Sequence, residues 1–321
     1  MKIRKLRERL EGKKSNEEVI CMVKVMAPAT SANLGPGFDF LGLALELFNI
    51  VTFTPADDWT VTAEGYGAEK LAGRKDLLVC QGIEKVFSVT GRPLNGGVVH
   101  LENLIPEVGG LGSSASAIVG GLVAANTYLN NPLTKDVLLS LAVEIEGHPD
   151  NVTPAIFGGL IGVVKDQTST NGYSYLKIPF PMELHVVLAV PELSVSTVEA
   201  RKLLPSQVPL SDAVFNLAHT GLLVGACYAK RLDLFKIAMK DALHQNRRAT
   251  LIPGFHRVID EAYKNGAIGA ALSGAGPTII AFSPQETLQS VGEGMISAFA
   301  VQGIKAHWLS VPINYDGYRI I

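Results

Sequence analysis

The sequence predicts an α+β fold, and three observations carry the prediction. Strand-like runs rich in β-branched and aromatic residues come in groups, segments with helical spacing cluster beside them, and the regular strand–helix alternation of a doubly wound sheet is missing. The 321 residues, 47% hydrophobic and 18% charged, are enough for a sizeable core in one large or two ordinary domains.

Taken in order, residues 22–27, 49–54 and 59–63 read as short strands, and 76–90 has helical spacing. A strand over 97–101 leads into the stretch PEVGGLGSSAS, residues 106–116, and then into an apolar run with helical spacing. Thr134 is placed as the N-cap of a helix whose apolar face is Val137, Leu138, Leu141, Ala142 and Ile145. A strand over 160–164 follows, and the polar stretch 166–174 marks the expected boundary between an N-terminal domain, 22–168, and a C-terminal domain, 169–321. Beyond it the pattern predicts a strand at 184–190 and a capping box at Ser196–Glu199 opening a short helix. Helices are expected at 212–229, 231–244, 255–265 and 285–300, with strands at 267–272, 278–282 and 304–311.

Bulk properties exclude several classes. A net charge of −2 gives no electrostatic footprint for nucleic acid or an anionic membrane, and no apolar run approaching the length of a spanning helix is read from the sequence. Cys21, Cys80 and Cys227 are scattered and in no metal-ligand spacing, which points to a reduced cytosol. Residues 1–21, rich in Lys and Arg over 1–14, read as a solvated basic extension that lacks the apolar core of a secretory signal.

The stretch 106–116 carries the functional signal. Glycine lets backbone N–H groups approach a ligand with no Cβ in the way, and a helix that begins there aims unpaired donors and a partial positive charge at it. Such a loop is a cradle for an anion, most often phosphate. The GK[ST] ending of a Walker A loop is missing, as are the dinucleotide-binding GxGxxG, the protein-kinase HRD and DFG sets and HExxH, so the loop belongs to another phosphate-binding class.

Pro106, Gly110, Leu111, Gly112, Ser113, Ser114 and Ala115 match P-x₃-G-L-G-S-S-A, and this resembles the second signature of the GHMP small-molecule kinases. APATSANLGPGFD at 27–39 resembles the first signature of that family, and LSGAGPTI at 272–279 the third. The resemblance implies a two-domain GHMP kinase fold, with a ribosomal protein S5 domain 2-like N-terminal domain and a ferredoxin-like C-terminal domain. It implies ATP held by Pro106, Glu107, Val108, Gly109, Gly110, Leu111, Gly112, Ser113, Ser114, Ala115 and Ser116, with Ser273, Gly274 and Gly276 closing the site. Within the family, PATSANLGPGFD, GHPDNVTPAIFGG at 147–159 and the R-x₂-LIPG run at 248–254 look like the homoserine kinase branch, which phosphorylates the side-chain hydroxyl of L-homoserine on the way to threonine. Another small alcohol, such as mevalonate, is the alternative substrate.

Homoserine is a zwitterion with a primary hydroxyl. Its site needs a carboxylate for the ammonium, guanidinium groups for the carboxylate and a polar group near the hydroxyl. By resemblance Asp39 holds the amino group with Asn33 beside it, and Arg201 and Arg248 clamp the carboxylate, a bidentate task suited to guanidinium. Arg247 competes with Arg248 for the second position. Mg²⁺ takes few protein oxygens, and the resemblance assigns it Ser114 and Glu146; Glu144 sits on a different helix face. His148, Asp150 and Asn151 form the remaining cluster. Asn151 is the better candidate for the substrate hydroxyl, Asp150 is the candidate base, Thr197 belongs near the γ-phosphate, and His148 is either a substrate contact or a structural hydrogen-bonder. Phosphoryl transfer proceeds through a loose transition state, so positioning is expected to matter more than a strong base. A homodimer is left open.

Overall fold

The computed structural model describes residues 22–107 and 109–321; the basic extension 1–21 and Val108 therefore lie outside the described residues. The elements are β1 (Val23–Ala32), β2 (Leu41–Ala56), β3 (Thr60–Gly65), α1 (Leu78–Thr90), β4 (Gly96–Asn103), α2 (Ser113–Tyr128), α3 (Lys135–Glu146), α4 (Pro149–Phe157), β5 (Leu160–Lys165) and β6 (Tyr173–Ile178). There follow β7 (His185–Pro191), α5 (Thr197–Lys202), α6 (Leu210–Ala229), α7 (Phe255–Lys264), β8 (Gly269–Leu272), β9 (Ile279–Ser283), α8 (Leu288–Ala300), β10 (Ala306–Val311) and β11 (Arg319–Ile320).

Two sheets organise the chain. The seven-stranded sheet runs β11-β1-β2-β4-β3, with β5 on the far stretch of β2 and β6 outside β5; the four-stranded sheet runs β10-β7-β9-β8. Among the described residues only β3 and β4 pair in parallel. β1 and β2 pair through ten registered residues, interrupted by a bulge at Pro28/Ala29, at the start of the 27–39 motif. Val25, Val51 and Phe53 join Ile118, Leu122 and Leu139 in one core under the helices. Leu41, Leu43 and Leu45 meet Leu188, Ile280 and Phe282 in a second core that seals the two sheets together. A third core lies between the four-stranded sheet and α7 and α8.

The chain departs from its sequence reading in several places. The boundary expected at 168/169 falls in the turn between β5 and β6, which pair antiparallel; the chain leaves the large sheet only after Ile178, and β11 returns to pair with β1. The motif at 147–159 contains α4, hidden in the sequence by two prolines. Pro149 sits at the first helical position, where a missing N–H costs nothing. The helix expected over 231–244 breaks up, because the Asp241 carboxylate accepts the backbone N–H groups of Leu243, His244 and Gln245 and starts a new turn. Thr134 caps α3 as expected, its hydroxyl accepting from Val137 N, but the capping box at Ser196 is not made: its side chain accepts no capping bond. The apolar run that the sequence seemed to lack exists as α6, whose 20 residues have a mean hydropathy of 1.2 and are long and apolar enough to cross a membrane by composition alone. Asn216 and Thr220 interrupt that run on paper, yet both point inward and donate to the Pro36 carbonyl.

Candidate functional site

A cavity of about 240 Å³ opens where the first glycine motif, the 106–116 loop, α4 and α5 converge. Its floor is the glycine loop. Gly109, Gly110 and Gly112 have φ of 100°, 84° and 64°, a region costly for any side chain. Each is also crowded: a Cβ on Gly110 would lie 2.4 Å from the Ser273 carbonyl oxygen, and one on Gly112 would lie 2.0 Å from Thr30 Oγ1. Thr278 donates to the Gly109 carbonyl at 2.9 Å, and Ser273 donates to the Gly110 carbonyl. The third motif thus buttresses the loop from behind. Gly274 lines the cavity, whereas Ser273 is fully buried and Gly276 packs against Ile252 and Leu272.

The loop residues divide the work. Glu107, Gly109, Gly110, Gly112, Ser113 and Ser114 line the cavity. Pro106, Leu111, Ala115 and Ser116 turn inward, Ser116 donating to the Ala27 carbonyl at 2.8 Å. The Glu107 carboxylate is engaged by Lys70 at 2.9 Å. With Gly112 at its N-cap, α2 directs its first-turn N–H donors into this space. We expect Gly112→Ala to lower Tm by about 4 °C or more and to weaken nucleotide binding, whereas Gly147→Ala, at φ 89° but in open space, should cost only backbone strain, about 1 kcal/mol. Differential scanning calorimetry of both variants checks this; equal losses would rule out the close approach as the cause.

On the cavity wall, Ser114 donates to Glu146 Oε1 at 2.6 Å, across 32 residues of chain. Glu146 closes α3, and burial raises its carboxyl above the ordinary range despite the Ser114 bond and the neighbouring His148. His148 Nδ1 meets Asp150 Oδ1 at 2.6 Å, and its Nε2 lies 3.8 Å from Glu146. Burial pulls His148 down, but the bond to Asp150 and the two carboxylate charges outweigh it, so its pKa is raised. Asn151 Oδ1 accepts from Thr30 at 2.8 Å, and Thr197 joins the wall at the start of α5. Glu144 faces away and pairs with Lys85.

A second cluster of charges lines the same cavity. Arg201 grips Asp39 through two nitrogens, at 2.8 and 3.3 Å. Asp39 sits at φ 53°, its backbone N–H held by Asn33 Oδ1 at 3.0 Å, while Asn33 Nδ2 donates to the Gly274 carbonyl at 3.0 Å. Arg248 is 2% exposed and, among the described residues, forms no ion pair with a carboxylate: one guanidinium nitrogen donates to the Gly274 carbonyl at 3.0 Å, and Nε, also buried, has no hydrogen-bond partner there. Burial, with the nearby Arg201 charge, pulls Arg248 down to about 10, so it remains a cation at neutral pH. Arg247 is exposed and outside the cavity.

Three contributors were not singled out in the sequence. Thr30 backs both Gly112 and Asn151, and the Phe38 ring lies 5.3 Å from the Arg248 guanidinium and 5.8 Å from that of Arg201. His244 donates from Nε2 to the Gly35 carbonyl at 2.7 Å, which leaves Nδ1 as an acceptor facing Arg248 at 3.4 Å. Thr30 and Phe38 belong to the quoted first motif. His244 precedes Arg248 by one helical turn, the spacing that would have revealed it.

The fold and the glycine loop over a polar cavity define a small-molecule kinase of the GHMP class. The family model described as "GHMP kinases N terminal domain" matches residues 78–159, and that described as "GHMP kinases C terminal" matches 223–301. A homoserine kinase of Carboxydothermus hydrogenoformans is 46% identical over 288 residues, covering 89% of this chain and 92% of that protein; one of Desulfitobacterium hafniense is 40% identical, covering 94% and 100%. The crystal structure of homoserine kinase from Cytophaga hutchinsonii superposes with a TM-score of 0.84 at 31% identity, covering 96% of this chain and all of that one. The chain belongs to the homoserine kinases of the GHMP kinase family.

Proposed function

We propose that this kinase transfers the γ-phosphoryl group of ATP to the side-chain hydroxyl of L-homoserine, giving O-phospho-L-homoserine and ADP, and that it works in the cytosol. The observation that carries the reading is the charge set Asp39, Arg201 and Arg248 in the same cavity as the glycine loop. Asp39 and Arg201 satisfy each other, while Arg248 is buried and, among the described residues, in no direct ion pair, with Asp39, Asp150 and Asp241 acting on it only at a distance. A zwitterion restores the balance. Its ammonium takes over Asp39, and its carboxylate bridges Arg201 and the buried Nε edge of Arg248. Mevalonate, a carboxylate with no ammonium, would release Arg201 but leave Asp39 without a cation.

The Gly109–Ser114 backbone supplies N–H donors for the polyphosphate. Ser114 and Glu146 present a hydroxyl and a carboxylate oxygen on one wall of the cavity, now hydrogen-bonded to each other at 2.6 Å, and these hard oxygen donors are the ones that would hold Mg²⁺. Bound there, Mg²⁺ would neutralise charge on the phosphate oxygens. Asn151, its oxygen committed to Thr30, would turn its NH₂ group to the substrate hydroxyl, and Thr197 would stand beside the transferred group. Asp150 is a poor base: its buried carboxylate is spent on holding His148. Catalysis then rests on positioning and charge neutralisation.

A coupled assay of ADP release against homoserine, mevalonate, galactose and shikimate tests the reading. Homoserine is expected to exceed the others in kcat/KM by at least about 10³-fold, because a ligand without the ammonium leaves Asp39 unpaired and one without the carboxylate leaves Arg201 and the buried Arg248 unpaired. Faster turnover of mevalonate than of homoserine would overturn it.

A further inference from the structure

The Arg248 guanidinium meets the Gly274 carbonyl at 3.0 Å, His244 Nδ1 at 3.4 Å and the Phe38 ring at 5.3 Å. The chemistry of its two neighbours fixes the His244 imidazole. A carbonyl only accepts, so Nε2, 2.7 Å from the Gly35 oxygen, carries a proton. A guanidinium only donates, so Nδ1 keeps its lone pair. Both contacts demand the same neutral tautomer. His244 is 1% exposed, does not line the cavity, and has its ring 5.2 Å from that of Phe38. Burial, with the Arg248 charge, holds its pKa below the ordinary value against the pull of Asp241 and Asp39. Asp241 lies 3.8 Å from Nε2 but spends its oxygens on the backbone N–H groups of Leu243, His244 and Gln245, and Asp39 is held by Arg201.

We propose that His244 is a positioning residue for substrate recognition: with its proton on Nε2 it is anchored to the first glycine motif, and its Nδ1 holds the Arg248 guanidinium ready for the substrate carboxylate, a role that rests on the reading of Arg248 as the carboxylate clamp. A carboxylate at position 244 would also hold the guanidinium, but the substrate would then have to displace a buried ion pair. An imidazolium would turn an N–H toward the guanidinium and add a like charge. The neutral ring avoids both, and it carries a donor and an acceptor on one rigid frame. The protein acceptors from Gly274 and His244 fall on the same nitrogen, Nη1, which leaves the Nε edge for a ligand. The anchor is itself closely fixed: Gly35 has φ of 88°, and a Cβ there would lie 2.2 Å from the Met239 carbonyl oxygen. Asn33, in the same motif, donates to the Gly274 carbonyl that Arg248 also uses. The segment that carries Asp39 and the turn that carries Arg248 are therefore tied at two points. That keeps a set distance between the groups for the substrate ammonium and carboxylate, as an α-amino acid requires.

Nitrogen-15 NMR of the full chain labelled at histidine reads the tautomer at pH 7, with the His244 signals assigned by their loss in His244→Asn. A proton on Nε2 and a bare Nδ1 are expected; a proton on Nδ1, or on both nitrogens, would overturn the proposal. This readout needs no activity and no stable variant beyond the asparagine one. In the ADP-release assay, His244→Leu should raise the homoserine KM about 10-fold, near the lower end for a lost hydrogen bond to a charged group. Its kcat should stay within about threefold and its ATP KM within about twofold. Asparagine keeps an acceptor where Nδ1 stands but does not reach Gly35. His244→Asn should therefore bring the homoserine KM back to within about threefold of the parent even though its Tm falls. A homoserine KM unmoved by His244→Leu, or raised as much by His244→Asn, would make the histidine a structural residue and sink the proposal. Arg248→Met separates this role from the reading beneath it. If that variant leaves the homoserine KM unchanged, the clamp is wrong and His244 has nothing to position; if it raises the KM while His244→Leu does not, only the role of His244 falls.

Discussion

Replacing Arg248 with methionine should raise the KM for homoserine about 100-fold while the KM for ATP stays within about twofold. A buried charged partner removed from a ligand carboxylate costs about 2–5 kcal/mol, and 100-fold is about 2.7 kcal/mol, the conservative end of that range. The stability readout separates a binding role from a structural one. Arg248 is a buried guanidinium that, among the described residues, forms no ion pair with a carboxylate; Asp39, Asp150 and Asp241 act on it only at a distance, and its Nε has no hydrogen-bond partner. Methionine has similar length and no charge, so the substitution should hold or raise Tm, because an apolar side chain replaces a desolvated ion. The homoserine-induced rise in Tm should disappear in the same variant. If Tm falls by more than about 5 °C and the homoserine KM is unchanged, Arg248 is a structural residue that only supports the Gly274 carbonyl.

Much of this site is legible in the sequence because its parts are local. The phosphate loop needs small residues at closely spaced positions with positive φ, and Gly109, Gly110 and Gly112 advertise that need within eleven letters. Ser114 with Glu146, and His148 with Asp150, likewise belong to recognisable segments. What sequence reading did not reveal is long-range satisfaction. Nothing in the letters says that Asp39 and Arg201, 162 residues apart, neutralise each other, or that Asn33 and Arg248 converge on one carbonyl of Gly274. Periodicity misled where side chains overrode it. Asp241 ends the helix expected over 231–244 by offering its carboxylate to three backbone donors, and prolines disguised α4. In α6 two polar residues broke an apolar run on paper while, folded, they bond inward to Pro36. Sequence pattern reports which residues prefer burial; it does not report which carbonyl waits for them.

Glu146→Gln should lower kcat about 10²- to 10³-fold and raise the Mg²⁺ concentration for half-maximal activity at least about 10-fold, with the homoserine KM little changed. The amide keeps an oxygen to accept the Ser114 hydroxyl at the present 2.6 Å contact, so the wall of the cavity should hold its shape while its formal charge is lost. The fold should gain from the change. Burial raises the Glu146 carboxyl above its ordinary value, which means the folded protein binds this proton more tightly than the unfolded chain. Stability from that group is therefore present at low pH and lost as pH rises through the raised value. At neutral pH the ionised carboxylate opposes folding, and glutamine removes the opposition. Thermal melts should show Glu146→Gln at or above the parent Tm at pH 7, with the advantage shrinking as pH falls from the raised value and gone once pH is below the ordinary carboxylate value. A variant less stable than the parent at pH 7, yet as active, would make Glu146 a cap for Ser114 and nothing more. A more stable and far slower variant is what a desolvated carboxylate kept for a cation would give.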